Sequence, residues 1–501
     1  MPRTSHGDVV LLEEVGSALN VVHEINARLN LPFSFAKAAD LTRSGYIFRD
    51  LQNKPADLLF DLPPSQTVKA LKELGRTMSE PGADPGTDSD IPSAYTYFGQ
   101  FIDHDITLLA MPKKVSLSDP DFVFLSESEV AQIKNVRTPT LDLDSVYGEA
   151  PHDGDDLMLL GKVTMPTLPS RPPGIMGEEF DLPREDRSDD RRYDRAARIG
   201  DGRNEENAII AQLHVAFLRA HNAIVLEGGY NYYEARSLLR KHYQWIVVHD
   251  FLRRVCDPSI VEEMLAAPWE KFDPVDDFFL PLEFTGAAFR FGHSMVRPAY
   301  DFNVNFPPRH ATLLQLFNVM GRYLTLPEKW IIEWEKFLDG GTNKARKINT
   351  VLVEPLFTVP GLPGLPVRDE IRLAVRNLLR GYLLRMPTGQ AVARSLGVYE
   401  MTPNDVTNAA ASQEQAGVLE ASGFATHTPL WFYILAEAAH FKKGHLGPVG
   451  STLVAGVLIA LIRRSKDSFL KIPGWTPTLP AHGMTFELRD LLRLAGVLKS
   501  N

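Results

Sequence analysis

Apolar residues recur at steps of three and four along most of the 501-residue chain, a spacing typical of amphipathic helices. The pattern predicts helices at Asp8–Leu29, Thr67–Met78, Tyr97–Asp105, Asn207–Leu226, Tyr232–Val255, Trp330–Leu338, Glu370–Leu384, Pro429–Ala439 and Ser451–Ile462. Two-residue alternation is scarce, although residues 274–290 and 347–358 permit short strands. The sequence therefore predicts a mainly α fold with minor short β-strands.

Two stretches interrupt this helical pattern. Ser79–Asp90 is rich in turn-forming residues and is predicted to be a loop. Glu149–Asp194 is dense in proline, glycine and charge, and a loop of that length is more often functional or disordered than idle. We expect an N-terminal extension, residues 1–90, that packs on a main domain at 91–501.

Composition removes several classes of protein. The hydrophobic content of 44% can bury a large core, and a formal net charge of -10 without a long basic run lacks the footprint of a nucleic-acid binder. Cys256 stands alone, so no internal disulfide can form. The most apolar run, Leu453–Ile462, is well short of the roughly 20 residues that span a bilayer. The polar start Met1–Asp8 lacks an export-signal pattern, so the cytoplasm is the default expectation, with non-classical secretion left open.

Candidate chemistry begins in the segment Tyr97–Asp105. If it is helical, Gln100 and His104 stack on one face and Asp103 borders that face. An amide, a carboxylate and an imidazole would then meet at one pocket. The alternative is an ordinary helix with a buried, hydrogen-bonded histidine.

A second cluster has oxygen-bearing side chains at alternate positions, Thr138, Thr140, Asp142 and Asp144. Alternation places these side chains on one side of an extended loop. Calcium takes six to eight oxygen ligands, so the loop is a candidate site once a further carboxylate arrives from elsewhere. A polar edge or a plain turn is the alternative.

A third cluster begins the long helix, where Arg203 and Glu206 are three residues apart and share a face. The alternative is an exposed, salt-bridged helix start capped by Asp201 or Asn204.

Two further segments carry polar groups in apolar surroundings. His293 follows Arg290 by three residues, and by itself would more often be a packed core histidine than a metal ligand. Arg376–Arg380 interrupts an apolar helix, and its alternative reading is a solvated helix edge.

Taken in this order, the segments resemble the haem peroxidases of the peroxidase–cyclooxygenase superfamily, in a form similar to bacterial members. The resemblance runs from Tyr95 to Arg463 and rests on F-G-Q-x-x-D-H-D, L-D-x-x-S-V-Y-G, G-D-x-R-x-x-E and F-R-F-G-H. The tail segments Thr428–Trp431 and Leu446–Ser451 are similar to the C-terminal region of the superfamily. Each motif is weak alone, and their co-occurrence is specific.

The resemblance implies a role for each matching residue. His104 would be the distal acid–base, Arg203 the distal arginine and Gln100 the distal amide that lines the halide site. His293 would be the proximal ligand of the haem iron. Asn377 would accept a hydrogen bond from the other ring nitrogen of His293, which fixes the tautomer of a metal-bound histidine.

Further positions match groups that hold haem and calcium. Arg290 and Arg380 would pair with haem propionates, and Asp103 and Glu206 would form ester bonds to haem b. The implied calcium ligands are Asp105, Thr138, Thr140, Asp142 and Asp144.

The implied activity is reduction of hydrogen peroxide and oxidation of small anions or phenolic donors through a ferryl haem intermediate. Asn207 stands where one animal member, myeloperoxidase, has a methionine bonded to haem as a sulfonium, so iodide, thiocyanate or bromide is expected more than chloride. Gly381–Gln390 replaces the D-H-G-L-P-G-Y-N run of animal members, and Asp144 replaces a serine, making the calcium site more anionic.

Two alternatives stay open. A fatty-acid dioxygenase of the same superfamily has a radical-forming tyrosine three residues before the proximal histidine, where this chain has Arg290, although Tyr300 or Tyr382 could serve. A non-catalytic haem-binding or adhesion protein would keep the fold without turnover. The sequence leaves the oligomeric state undetermined.

Overall fold

The computed structural model describes most of the chain from residue 41 onward. The described residues are 10–11, 41–52, 54–59, 63–80, 88–113, 115, 122–148, 156–164, 171–172, 175–187, 195–272, 278–321, 325–357, 372–481, 483 and 485–499. All structural statements below concern these residues.

Helices dominate the described residues, which confirms the predicted fold class. The α-helices are α1 (Pro64–Thr77), α2 (Ala94–Ile106), α3 (Glu127–Val130), α4 (Asp144–Tyr147), α5 (Ala208–Gly228), α6 (Tyr232–Ile246), α7 (Leu252–Val255), α8 (Pro258–Ala266), α9 (Leu282–Gly286), α10 (Leu313–Gly321), α11 (Leu373–Leu383), α12 (Gly389–Leu396), α13 (Pro403–Asn408), α14 (Gln413–Ala421), α15 (Leu430–Phe441), α16 (Pro448–Arg464) and α17 (Leu488–Leu494).

The strands are short. They are β1 (Val10–Leu11), β2 (Thr42–Gly45), β3 (Ser79–Glu80), β4 (Asp88–Pro92), β5 (Leu109–Met111), β6 (Lys134–Asn135), β7 (Leu280–Pro281), β8 (Ala299–Tyr300), β9 (Ala311–Thr312), β10 (Lys344–Arg346) and β11 (Leu352–Val353). Five form one sheet in the order β1-β5-β6-β2-β7, and the pairs β4–β10, β3–β11 and β8–β9 stand separately.

Helix α5 lies at the centre of the fold and packs against α2, α6 and α17. Asn207 caps its first turn, because Oδ1 accepts from the backbone N–H groups of Ile209 (3.1 Å) and Ile210 (3.0 Å). Gly229 ends it in a left-handed conformation. It is the one helix of the described residues long and apolar enough to cross a membrane, and most of it is buried inside the protein, as in a core helix.

Helix α2 is fixed at both its start and its apolar face. Its first amides lack a side-chain cap, but the N–H groups of Ser93 and Ala94 donate to the carbonyls of Asn343 and Phe337. Phe101 stacks on Phe217 of α5 with ring centroids 4.5 Å apart. These contacts set the position of the helix that carries the first predicted polar cluster.

The helix between Tyr232 and Val255 is continuous but contains a π-helical turn, Val247–Phe251, between α6 and α7. The turn brings Phe251 against α2 at Gly99, where an added Cβ would lie 3.2 Å from the ring. It also places Asp250 so that both carboxylate oxygens accept from the hydroxyl of Tyr95.

The prediction of an α-helix at Trp330–Leu338 was wrong. The structure has two short 3-10 turns there, Glu328–Trp330 and Trp334–Lys336. The apolar side chains are buried as the pattern requires, but the backbone bonds to other segments: the N–H of Glu333 donates to Phe302, and the carbonyl of Phe337 accepts from Ala94. Tertiary pairing overrides the local pattern.

Near the N-terminus the predictions were partly wrong. Of the predicted helix Asp8–Leu29 only Val10 and Leu11 are described, and they form a strand parallel to β5; the remainder lies outside the described residues. A continuous apolar run cannot be assigned to helix or strand by periodicity alone. The predicted loop Ser79–Asp90 contains β3 and begins β4, while residues 81–87 are not described.

Candidate active site

A cavity that is partly open to solvent lies between α2, the start of α5 and a 3-10 segment, Ala288–Met295. Gln100, Asp103 and Glu206 line it, together with Arg290 and His293. Five residues predicted from separate motifs therefore meet at one site.

The carboxylate side of this cavity is joined by hydrogen bonds. Nε2 of Gln100 donates to Oε2 of Glu206 (3.1 Å), and Nδ2 of Asn207 lies 3.4 Å from Oε1 of Gln100. Oδ1 of Asp103 accepts from the hydroxyl of Thr107 at 2.8 Å. In the sequence Asn207 was noted only because it is not methionine. In the structure its side chain both caps α5 and contacts the amide of Gln100.

His104 is fully buried, and it is not among the described residues that line the cavity. It lies one turn beyond Gln100 on the same face of α2 and adjoins the lining residue Asp103. Burial, and then the charge of Arg203, lower the pKa of His104 to about 4. The imidazole is therefore neutral at pH 7 and able to accept a proton.

Arg203 is also buried and is not among the described lining residues. Its Nε and Nη2 bond both carboxylate oxygens of Asp201, at 3.0 and 2.7 Å, and Nη2 also donates to the carbonyls of His104 and Thr107. Asp201 additionally lies 2.9 Å from Nε of Arg137. A single buried carboxylate therefore holds two guanidinium groups.

On the other wall, the buried ring of His293 has Nδ1 2.8 Å from the amide nitrogen of Asn377. Binding of Nε2 to iron would place the ring proton on Nδ1. Asn377 could accept a hydrogen bond from that N–H only with its amide rotated by 180°, so that the oxygen faces the ring. Burial, followed by the charges of Arg290, Arg380 and Arg376, lowers the pKa of His293 to about 3. The ring is neutral, as a metal ligand must be.

These residues fit a haem group. The cavity has the neutral imidazole of His293 on one wall, and the guanidinium groups of Arg290 and Arg376 line the same cavity. Arg380 is close enough to influence His293 electrostatically, although it is not among the described lining residues. Haem has an iron that an imidazole can bind and two propionate carboxylates that guanidinium groups can pair with, so this combination of residues suits it.

The loop Thr138–Asp144 closes over Asp105, the residue that follows His104. The buried carboxylate of Asp105 accepts from the N–H groups of Leu143 (3.2 Å) and Ser145 (3.0 Å). Burial, then the charge of Asp142, raises the pKa of Asp105 well above its usual value, and burial raises the pKa of Asp142 as well. Oδ1 of Asp142 is buried without a hydrogen-bond partner.

The acidic side chains of this loop would by themselves supply only some of the ligands that a metal ion needs. Within the described ranges no three His, Cys, Asp or Glu side chains converge into a metal-binding group. A cation here would also need oxygen atoms from Thr138 and Thr140, which is the mixed ligand set that calcium accepts. Leu141 and Leu143 take left-handed conformations, with φ of 51° and 59°, so the loop is folded tightly around this point.

Comparison with solved structures shows which proteins share the fold. Peroxidase A from Dictyostelium discoideum is 15% identical, with a TM-score of 0.56 over 88% of this chain and 90% of that one. A fatty acid alpha-dioxygenase from Oryza sativa is 14% identical, with a TM-score of 0.56 over 86% of this chain and 80% of that one. The chain therefore shares the fold of this peroxidase and this dioxygenase.

Sequence comparison is more particular. Residues 123–354 match the model of the animal haem peroxidase family, and this range contains Arg203, Glu206, Arg290 and His293. Human thyroid peroxidase is 24% identical over 67% of this chain and 38% of its own length, and the human peroxidasin homolog is 26% identical over 49% and 18%. Over residues 123–354 the chain is therefore similar to the animal haem peroxidase family, and this similarity points to haem as the group to test at the cavity. It spans 38% or less of the first thyroid peroxidases that it matches.

Several residues of the site were missed by sequence reasoning. Asn204 bonds His104, Asp201 pairs with Arg203, and Arg137 connects Asp201 to Asp144. Asp201 and Asn204 were considered only as alternative helix caps. Asp201 does cap its turn, accepting from the N–H of Arg203 at 2.9 Å. For Asp201 and Asn204 the sequence signal was their position beside Arg203, which did not reveal their hydrogen-bond partners.

Proposed function

We propose that the protein is a haem peroxidase that reduces hydrogen peroxide and oxidises small anions such as iodide, thiocyanate and bromide, or phenols. One observation carries the proposal: a single cavity brings a buried neutral histidine, His293, together with Gln100, Asp103 and Glu206. An imidazole, an amide and two carboxylates at one solvent-accessible cavity are polar groups that a packed core would leave out unless they were paired.

In this proposal His293 binds the haem iron and Asn377 holds its other ring nitrogen. Arg290 and Arg380 pair with the propionates. Asp103 and Glu206, which line the same cavity, form the ester bonds. Haem bound there would supply the redox chemistry with peroxide that these side chains cannot perform themselves.

His104 and Arg203 supply the proton transfer and the positive charge. The neutral imidazole accepts a proton from hydrogen peroxide and returns it to the departing oxygen, a role that contributes roughly 10²–10⁴-fold to a rate. Arg203, held by Asp201, stabilises the negative charge that develops on that oxygen in a site poor in water. Both residues must reach the peroxide from beside the cavity lining.

Calcium is proposed at Asp105, with oxygen atoms of Thr138, Thr140, Asp142 and Asp144 completing the site. The unpartnered Oδ1 of Asp142 and the raised pKa of Asp105 support this, since both point to a deficit of positive charge. A cation there would anchor α2 one residue beyond His104.

The test is an absorption spectrum of the purified holoprotein before and after hydrogen peroxide, followed by assays with iodide, thiocyanate and a phenol. We expect a Soret band that changes with peroxide and recovers as the donor is consumed. His104→Ala should slow the change by at least about a hundredfold with haem retained, because general acid–base catalysis is lost. His310→Ala, at an exposed histidine, is the matched control.

Other outcomes assign other functions. Oxygen uptake with linoleate in the absence of added peroxide would replace the proposal by a fatty-acid dioxygenase. Haem binding with no oxidation of any donor would replace it by a non-catalytic haem protein. Haem that extracts freely into acid acetone would refute the ester bonds at Asp103 and Glu206 and leave the peroxidase proposal standing.

A further inference from the structure

A buried chain of hydrogen bonds connects His104 to a second histidine through one amide. Nδ1 of His104 lies 2.8 Å from Oδ1 of Asn204, and Nδ2 of Asn204 lies 3.0 Å from Nδ1 of His214. All three side chains have 0% exposure. The chain runs from α2 through the 3-10 turn Gly202–Glu205 to α5, so three elements meet in it.

The two ends of an amide differ chemically, and this fixes both histidines. In the orientation that the structure gives Asn204, its oxygen faces Nδ1 of His104, and an amide oxygen only accepts; this orientation therefore places the proton of the neutral His104 ring on Nδ1. The amide nitrogen only donates, so Nδ1 of His214 must accept and its proton sits on Nε2. Reversing Asn204 would exchange both tautomers together.

We propose that Asn204 and His214 are positioning residues that hold His104 in the tautomer that carries its proton on Nδ1. The inference rests on the proposed peroxidase function, in which His104 accepts the proton of hydrogen peroxide at Nε2. With the amide reversed, Nε2 of His104 would already carry a proton and the ring could not act as base.

His214 is suited to hold the amide because it has little freedom of its own. Its ring packs edge-on against Phe101, with centroids 6.2 Å apart, which restricts the orientation of the ring. Its Nε2, which carries the proton in this tautomer, is buried without a hydrogen-bond partner among the described residues, so the arrangement bears the cost of one unpaired donor. The charged groups that act on the two rings are Asp103, Asp201 and Arg203.

The 3-10 turn Gly202–Glu205 carries two residues that contact His104. Asp201 caps the turn, and the N–H of Asn204 donates to the carbonyl of Asp201 at 3.0 Å. Adjacent residues then reach His104 from two directions: Arg203 bonds its carbonyl oxygen and Asn204 bonds its ring. One four-residue turn therefore fixes both the place and the tautomer of the proposed base.

The first experiment reads the tautomers directly. In ring-¹⁵N-labelled holoprotein, reduced and bound to carbon monoxide so that it is diamagnetic, we expect the proton of His104 on Nδ1 and that of His214 on Nε2. The opposite pair of tautomers would overturn the proposal. This measurement does not depend on turnover, so it stands even if the protein proves not to be a peroxidase.

The second experiment measures the rate constant of the peroxide-induced Soret change in haem-matched samples. Asn204→Leu should lower it at least about tenfold, as loss of a tautomer-fixing partner does elsewhere. Asn204→Asp keeps an acceptor for Nδ1 of His104 and should recover part of the rate. A role in packing alone predicts no difference between these two variants.

A second pair of variants, at His214, tests the same proposal if the substitutions of Asn204 prevent folding. His214→Gln offers an acceptor to Asn204 and should stay above His214→Phe, which offers none. Asn222→Leu is the matched control, because that amide bonds only the backbone of Met158. An unchanged rate in both Asn204→Leu and His214→Phe, with His104→Ala slow, would refute the positioning role and leave His104 as the base.

Discussion

Asp201→Asn tests the electrostatic centre of the site. The carboxylate is buried, with a side chain 2% exposed, and it pairs with Arg203 at 2.7 Å and Arg137 at 2.9 Å, whose side chains are 5% and 4% exposed. The amide has nearly the same shape but carries no charge, and its nitrogen would face a guanidinium N–H. The substitution therefore changes charge and hydrogen bonding while leaving packing almost unaltered.

The expected cost follows from what each guanidinium has left. Arg137 keeps the carbonyl of Gly200 and a weaker pairing with Asp144 at 3.4 Å, whereas Arg203 keeps only backbone carbonyls. Removing one partner of a buried ion pair costs about 3–5 kcal/mol, and we expect Asp201→Asn to fall in that range. The proposed peroxide reaction should also slow, because the guanidinium of Arg203 loses its fixed position.

The measurement is the urea concentration at the midpoint of unfolding, and unfolding is monitored by the circular dichroism signal of the helices. Although burial alone would raise it, Arg203 and Arg137 hold the pKa of Asp201 well below its usual value. The stabilisation is therefore complete above the unfolded pKa of about 3.9 and disappears as the pH falls further, so the difference between variant and wild type should narrow in acid.

A surface ion pair provides the control. Asp467 contacts Arg240 at 3.4 Å and Lys241 at 3.8 Å with a side chain 34% exposed, so Asp467→Asn should cost less than about 1 kcal/mol. If the two variants lose similar stability, the reasoning that burial gives the Asp201 pair its weight is wrong.

Three further outcomes are expected. His293→Ala should lose or misligate haem, and an unchanged spectrum would exclude it as the iron ligand. Chelating calcium should lower the melting temperature at pH 8, and the metal-free protein should regain stability towards pH 6, because the folded state then binds protons at Asp105 that the unfolded state does not; a flat profile after verified metal removal would contradict the site. The rate of the peroxide reaction should stay level from pH 8 to about 5 and fall near pH 4, where His104 becomes protonated, and a midpoint near 6.5 would contradict its burial.

Sequence periodicity predicted the long helices well because their apolar faces are wide and their ends are marked. α5 and α16 match the predicted segments closely, and Gly229 terminates α5 where the pattern ends. Periodicity failed at Trp330–Leu338, where an equally regular apolar pattern is buried by irregular chain. Side-chain burial was predictable there, and the backbone pairing that overrides helix formation was not.

The same division applies to the site. Gln100, Asp103, Glu206, Arg290 and His293 were predicted from local motifs, and the structure brings them to one cavity. Whether His104, Arg203 and the calcium loop act as predicted stays to be tested. Partners such as His214 could not be found from the sequence, because a buried histidine inside an apolar helix has no local signal that distinguishes it from packing.

Asp103, His104 and Asp105 are consecutive residues of α2, and each has a different set of neighbours. Successive side chains on a helix point about 100° apart. Asp103 therefore lines the cavity, His104 contacts the amide of Asn204 and Asp105 contacts the Thr138–Asp144 loop. A rotation of this helix about its axis would move all three at once. Variation during evolution is then constrained at the level of the helix, and no one of these functions can be retuned by reorienting α2 without disturbing the other two.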